Sequence, residues 1–181
     1  MSVDACIRPC TAADRDEIFA IINDAAIAYR GVIPDDCWHE PYMPLEQLDA
    51  EIAANVRFFG YEAAGRLVGV MGTQERGDVT LIRHAYVRTQ GRRVGIGTAL
   101  LRFLETTTAK PILIGTWAAA TWAIDFYVGC GYRLVTGAEK DALLRKYWTG
   151  CARGVTHAPA SRFGSALVTR RQTIVKEPRE W

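Results

Sequence analysis

Gln90-Gly91-Arg92-Arg93-Val94-Gly95-Ile96-Gly97-Thr98-Ala99-Leu100-Leu101 follows the apolar run Leu81-Ile82-Arg83-His84-Ala85-Tyr86-Val87 and opens a helical pattern. Two arginines beside two glycines at the mouth of a helix put fixed positive charge and bare backbone N–H groups at one point. That is what a pyrophosphate needs. The stretch therefore reads as an anion cradle between a strand and a helix. Its spacing excludes two better known cradles: a dinucleotide fingerprint begun at Gly95 needs glycine or alanine where Leu100 stands, and a Walker loop needs Gly-Lys-Ser/Thr, which is absent.

Read as R-x-x-G-x-G over Arg92, Gly95 and Gly97, the stretch resembles the GNAT superfamily of acyl-CoA-dependent N-acetyltransferases. Downstream, Ala123-Ile124-Asp125-Phe126-Tyr127-Val128-Gly129-Cys130-Gly131-Tyr132 is similar to that superfamily's A-x-x-F-Y-x-x-x-G-F/Y segment. The resemblance covers roughly residues 3–170. It leans toward the phosphinothricin acetyltransferase-like subgroup, where a Tyr-Val pair also precedes the cradle.

Composition is consistent with this. A chain of 181 residues with 49% hydrophobic and 23% charged residues fits one soluble globular domain that needs no staples. Net charge of +2, with basic residues dispersed apart from Arg92-Arg93 and Arg170-Arg171, argues against nucleic acid as a partner. Five irregularly spaced cysteines contain no C-x-x-C pair, and three scattered histidines make no local ligand motif, so no metal is expected. No segment reaches the ~18 apolar residues of a membrane span, and the start lacks a signal pattern. Cytoplasmic location and no membrane partner are the expectation. A homodimer is compatible with this reading.

Outward from the cradle, the pattern orders the whole chain. Residues 3–8 read as a strand, and Thr11 with Asp14 offers a capping pair for a helix over 12–29 with Ile18, Ile21, Ile22, Ala25, Ala26 and Tyr29 at helical spacing. Residues 30–43, with Gly31, Pro34 and Pro41, read as a loop. A second helix is expected to bury Leu45, Leu48, Ile52 and Val56. Three strands with glycine turns at 64–65 and 76–78 form an antiparallel meander to Val87. The cradle's helix buries Ile96, Leu100, Leu101 and Leu104 and runs to about residue 108, stopped before Pro111. A strand at 112–117, a helix at 121–128, a strand at 132–135, a helix at 139–147, a loop at 149–163 and a strand at 165–171 complete the order. The expected fold is α/β (α+β), GNAT-like, with a central mixed, mostly antiparallel sheet flanked by helices. One domain over 1–171 carries a tail over 172–181.

The resemblance assigns roles residue by residue. Arg92, Arg93, Val94, Gly95, Ile96, Gly97 and Thr98 would hold the pyrophosphate of acetyl-CoA, and Ala85, Tyr86 and Val87 its pantetheine arm, on a strand that splays from its neighbour. Tyr127 would touch the cofactor and protonate the departing thiolate. His84 is a candidate general base, since imidazole exchanges protons near neutral pH; a base acting through water or from another element is the alternative. Strand alternation puts His84 and Tyr86 on one face and Arg83 on the other. Relatives often carry glutamate where Leu81 or Ile82 stands, and asparagine where Ala120 stands. This chain has neither, and Thr121 or Trp122 would have to compensate for the asparagine.

Tyr29, Asp36, Trp38, Glu40 and Tyr42 lie where the family borders its acceptor site, and carboxylates with aromatics suit a cationic amine. Trp117, Trp122, Tyr147 and Trp148 either line a pocket or pack the core. The function implied is transfer of acetyl from acetyl-CoA directly to a primary amine of a small molecule. The alternatives are a non-catalytic CoA-binding regulatory module and a protein N-terminal or lysine acetyltransferase.

Overall fold

Thr11 and Asp14 begin the first helical segment. The Thr11 hydroxyl accepts from the Ala13 N–H at 3.3 Å, and the Asp14 carboxylate accepts from the Thr11 N–H at 2.7 Å, closing a capping box. Arg8 on strand β1 (Ala5–Pro9) donates to both oxygens of Asp14 at 2.9 and 2.8 Å, and these bonds hold that carboxyl well below the usual carboxylate range. Helix α1 (Arg15–Ala26) then buries Ile18, Ile21, Ile22, Ala25 and Ala26 as its periodicity predicts, with a tight 3-10 turn on either side of it. The computed structural model describes residues 5–148 and 165–170. The loop expected over 149–163 and the tail over 172–181 lie outside them.

Helix α2 (Leu45–Ala53) departs from expectation. It buries Leu48 and Glu51, the latter only 2% exposed, and leaves Ile52 41% exposed; Val56 is buried from beyond the helix end. The helix is rolled so that a carboxylate points inward, because Arg83 waits there to pair with it.

Strands β2 (Arg57–Ala63) and β3 (Arg66–Arg76) join through Ala64-Gly65, both at positive φ, the backbone that a two-residue hairpin demands. Strand β4 (Val79–Val87) follows a second turn at Gly77, and β2 to β4 form the antiparallel meander read from the sequence, with β1 pairing antiparallel at the edge of β2. Helix α3 (Ile96–Thr106) crosses back, so β5 (Ile112–Trp117) pairs with β4 in parallel. After α4 (Thr121–Gly129), β6 (Arg133–Val135) and α5 (Gly137–Tyr147), strand β7 (Ser165–Arg170) inserts between β5 and β6. The sheet order is β1-β2-β3-β4-β5-β7-β6, with one parallel pair among antiparallel ones.

Helices cover both faces. Ile96, Leu100, Leu101 and Leu104 of α3 pack with Tyr127 of α4 on Phe59, Met71, Ile82 and Ile114. Each fully buried leucine there contributes about 1.5–3 kcal/mol of transfer free energy. α3 lies close on β3 at Gly69, where an added Cβ would sit 2.9 Å from the Ile96 side chain. The other face holds α1 and α2 on Phe58, Leu67 and Val70. Tyr147 and Trp148 resolve to core, packing with Leu143 against Val79, Leu81 and Leu113. No helix among the described residues is long and apolar enough to cross a membrane.

Candidate active site

β4 and β5 pair only at Thr80–Ile112, Leu81–Leu113 and Ile82–Ile114. Beyond that point β4 stays with β3 to Val87 and β5 stays with β7 to Trp117, so the two strands part like a fork. The splay implied for the pantetheine strand is present. Backbone groups of residues 83–87 on the fork side are thereby released from the sheet ladder.

The cradle lies at the end of β4. Residues 89–91 make one 3-10 turn, Arg93 and Gly95 take positive φ of 63° and 88°, and α3 begins at Ile96 with no side chain capping it. Its first N–H groups therefore have no side-chain partner at the cap, the condition for anion binding at a helix start. α1 braces the loop. The Thr89 N–H donates to Asp24 at 2.7 Å, and Arg92 Nη2 donates to the Ala25 carbonyl at 2.8 Å. Arg92 is thus an anchor of the loop as well as a charge beside it. Arg93, Val94 and Thr98 are exposed, Ile96 is buried under the loop, and Gly97 lies against Phe126, whose Cζ would be 3.4 Å from an added Cβ.

A bulge interrupts β4 just before the fork. Val70 pairs with Tyr86 and Gly72 with Arg83, so His84 and Ala85 together oppose Met71, and His84 takes φ 53°. The bulge cancels one step of alternation. Arg83 and His84, expected on opposite faces, both reach Glu51: Arg83 Nη2 donates to its two oxygens at 2.9 Å each, and His84 Nε2 lies 3.4 Å from Oε2, too far for a well-formed hydrogen bond. Gln74 completes the cluster, accepting from Arg83 at 2.9 Å and donating to the Ala54 carbonyl at 2.8 Å.

His84 stacks on Phe58 with ring centroids 5.8 Å apart, and burial lowers its pKa despite the nearby Glu51. Burial pushes the Glu51 carboxyl up, but its contact with His84 and the charge of Arg83 outweigh this and hold it below its usual range. As placed, His84 faces a buried ion pair. Sequence reasoning missed Glu51; the signal was its i+3 spacing from Leu48, competing with Ile52 at i+4.

Ala85 and Val87 turn toward α3, while Tyr86 turns to the other face among Tyr29 and Tyr42. These three phenols, with Trp38, Trp117 and Trp122, form an aromatic assembly at the fork. The Tyr42 hydroxyl accepts from Trp117 Nε1 at 3.2 Å and hydrogen-bonds Tyr86; the Tyr29 hydroxyl bonds Thr116. Burial raises all three phenols, Tyr29 to about 12. Trp117 and Trp122 belong here, not to the main core. Tyr127 is 5% exposed, edge-on to Phe126 and Tyr132, and burial followed by its neighbours Tyr29 and Tyr132 pushes its phenol well above the ordinary range.

The acidic rim is not assembled as expected. Glu40 is ion-paired with Arg30, whose guanidinium lies 5.6 Å over the Trp38 ring. Asp36 is exposed, near the Cys37 thiol. Of the five substrate-side candidates, Tyr29, Trp38 and Tyr42 come together in the aromatic assembly, while Glu40 already holds a cation.

A forked β4–β5 pair opening onto the uncapped helix start at Gly95 is the arrangement that the two sequence motifs implied. The family profile described as "Acetyltransferase (GNAT) domain" matches residues 22–142, and the chain belongs to that family. UPF0157 protein YqkA of Bacillus subtilis (strain 168) is 32% identical over 83 residues, 45% of this chain and 24% of that protein. The chain thus spans about a quarter of the length of that relative. Among solved structures, the ribosomal-protein-S18-alanine N-acetyltransferase of Escherichia coli aligns with a TM-score of 0.65 at 15% identity, over 98% of this chain and 100% of that one. The PaiA N-acetyltransferase of Thermoplasma acidophilum, in complex with coenzyme A, aligns with a TM-score of 0.62 at 11% identity, over 93% and 99%. YncA of Salmonella typhimurium, a putative acetyltransferase with its cofactor acetyl-CoA, aligns with a TM-score of 0.61 at 16% identity, over 97% and 98%. At these identities the likeness is one of fold.

Proposed function

We propose that this protein is an acetyl-CoA-dependent N-acetyltransferase that moves acetyl directly to a primary amine of a small molecule. The observation that carries the reading is the open β4–β5 fork ending at the uncapped start of α3. Two structures of the same fold contain coenzyme A or acetyl-CoA. The cosubstrate would supply acetyl as a thioester: the amine nitrogen bonds to the carbonyl carbon, the carbon–sulfur bond breaks, the nitrogen gives up a proton and the sulfur gains one.

The chain's own residues divide this work. The loop from Arg92 to Thr98 receives the pyrophosphate, with the glycines keeping the backbone N–H groups accessible and Arg93 adding charge. The freed backbone of Ala85 to Val87 holds the pantetheine arm and can polarise the thioester carbonyl. Tyr127 keeps its proton across the physiological range. Its hydroxyl is suited to donate a hydrogen bond to the departing sulfur.

His84 is the candidate base, but it is buried against Phe58 with its Nε2 facing Glu51. Its burial is the observation that favours the second reading, a CoA-binding module without catalysis. One experiment separates the two: titrate acetyl-CoA by calorimetry, then follow thiol release with a panel of amines and identify N-acetyl products by mass spectrometry. Binding with product supports the enzyme; binding without product from any amine or peptide supports the module.

A further inference from the structure

Four rings at the fork form one column. Trp122 lies 5.8 Å from Tyr29, Tyr29 is 5.7 Å from Tyr42, and Tyr42 is 5.6 Å from Trp38, with successive interplanar angles of 33°, 31° and 28°. Arg30 closes the Trp38 end at 5.6 Å. At the other end Trp122 is 44% exposed, and among the described residues Tyr29 is the ring against it. The column bridges the two sides of the fork, because Tyr29, Trp38 and Tyr42 come from the connection after α1 while Trp122 stands in the first turn of α4. Tyr86 of β4 meets Tyr29 edge-on at 6.5 Å, and Trp117 at the end of β5 is tied to Tyr42.

We infer that the acceptor amine is carried on a flat unsaturated ring, which continues the column on the open Tyr29–Trp122 end and points its nitrogen into the β4–β5 fork. This deepens the acetyltransferase reading and rests on it. Three features favour a ring over an aliphatic cation. The cation place on the column is already taken by Arg30, and Glu40, the carboxylate nearest in sequence to Tyr42, is spent on that same arginine. Trp117 and Tyr86 donate to the Tyr42 hydroxyl and Thr116 bonds that of Tyr29, so the polar atoms of the two inner rings are already engaged and ring faces are left as the binding surface. An exposed indole beside the fork, with Tyr29 tilted against it at 33°, is a preorganised partner for a further ring.

The test uses the whole chain with 2-phenylethylamine, putrescine and an alanine-starting tripeptide as acceptors, and unreactive 2-phenylethanol as a binding probe. The expected result is thiol release fastest with 2-phenylethylamine, and saturation-transfer NMR signals on the 2-phenylethanol ring. Trp122→Ala should raise the Michaelis constant for 2-phenylethylamine about fivefold, in line with the loss of one ring contact, and Trp122→Phe should restore most of it. Faster thiol release with putrescine or the tripeptide overturns the inference and leaves the acetyltransferase reading standing. So does a Trp122→Ala variant that loses acetyl-CoA affinity while its amine kinetics are unchanged, since Trp122 would then be a cofactor contact. No acetyl-CoA binding, with 2-phenylethanol still signalling and lost in Trp122→Ala, overturns the acetyltransferase reading and supports the ring site.

Discussion

Arg83 and Glu51, 32 residues apart in sequence, meet through two 2.9 Å hydrogen bonds beneath α2, both side chains almost wholly buried. The pair ties α2 to the bulge in β4. A buried charge that loses its partner costs more than the pair itself contributes. Glu51→Ala should therefore destabilise the fold by about 3–5 kcal/mol in urea denaturation. A loss below about 1 kcal/mol, the range of an exposed pair, would mean that solvent reaches Arg83.

His84 ties stability to pH. Its folded pKa lies below the unfolded value of about 6.5, so the unfolded chain binds the extra proton as pH falls. The stability this group contributes is fully present above that unfolded value. It is lost as pH drops toward the folded pKa, with a slope of at most about 1.4 kcal/mol per pH unit. His84→Asn, which tolerates the left-handed backbone, should flatten the melting-temperature profile below pH 7. An unchanged profile would assign the slope to other groups.

Gly95, at φ 88° with open space around an added Cβ, isolates backbone from packing. Gly95→Val should cost about 1–2 kcal/mol through strain alone. It should also reduce acetyl-CoA affinity by an order of magnitude or more in calorimetry. Intact affinity in a folded variant would remove the helix start from the binding site.

Tyr127→Phe keeps the ring against Phe126 and Tyr132 and removes the hydroxyl. Turnover should fall by ~10²-fold while acetyl-CoA affinity changes little. Unchanged turnover, measured where chemistry limits the rate, would make Tyr127 a core residue only.

The order of elements was legible because its signals are local: the Thr11–Asp14 cap, the Ala64-Gly65 turn, and the 3.6 period of Ile96, Leu100, Leu101 and Leu104. The places of Gly95 at the start of α3 and Tyr127 within α4 were legible for the same reason, since short motifs contain them. Three features depend on contacts or irregularities that no local period encodes and were not legible. The roll of α2 follows from Arg83, not from the helix's own pattern. His84 shares a side with Tyr86 as alternation predicts, but Arg83 joins them there through one bulged residue, which period-2 reasoning does not foresee. The ion pair of Glu40 with Arg30, ten residues earlier, forms across an irregular connection whose path no periodicity gives.

The central claim, that this chain binds acetyl-CoA at the fork and transfers its acetyl group, is tested most directly by one calorimetric titration of the folded protein. It is followed in the same sample by 2-phenylethylamine, with mass spectrometry of the product. The account predicts saturable acetyl-CoA binding that Gly95→Val weakens, and N-acetylated amine formed in equal amount with free thiol. A well-folded protein that takes up no acetyl-CoA would contradict it.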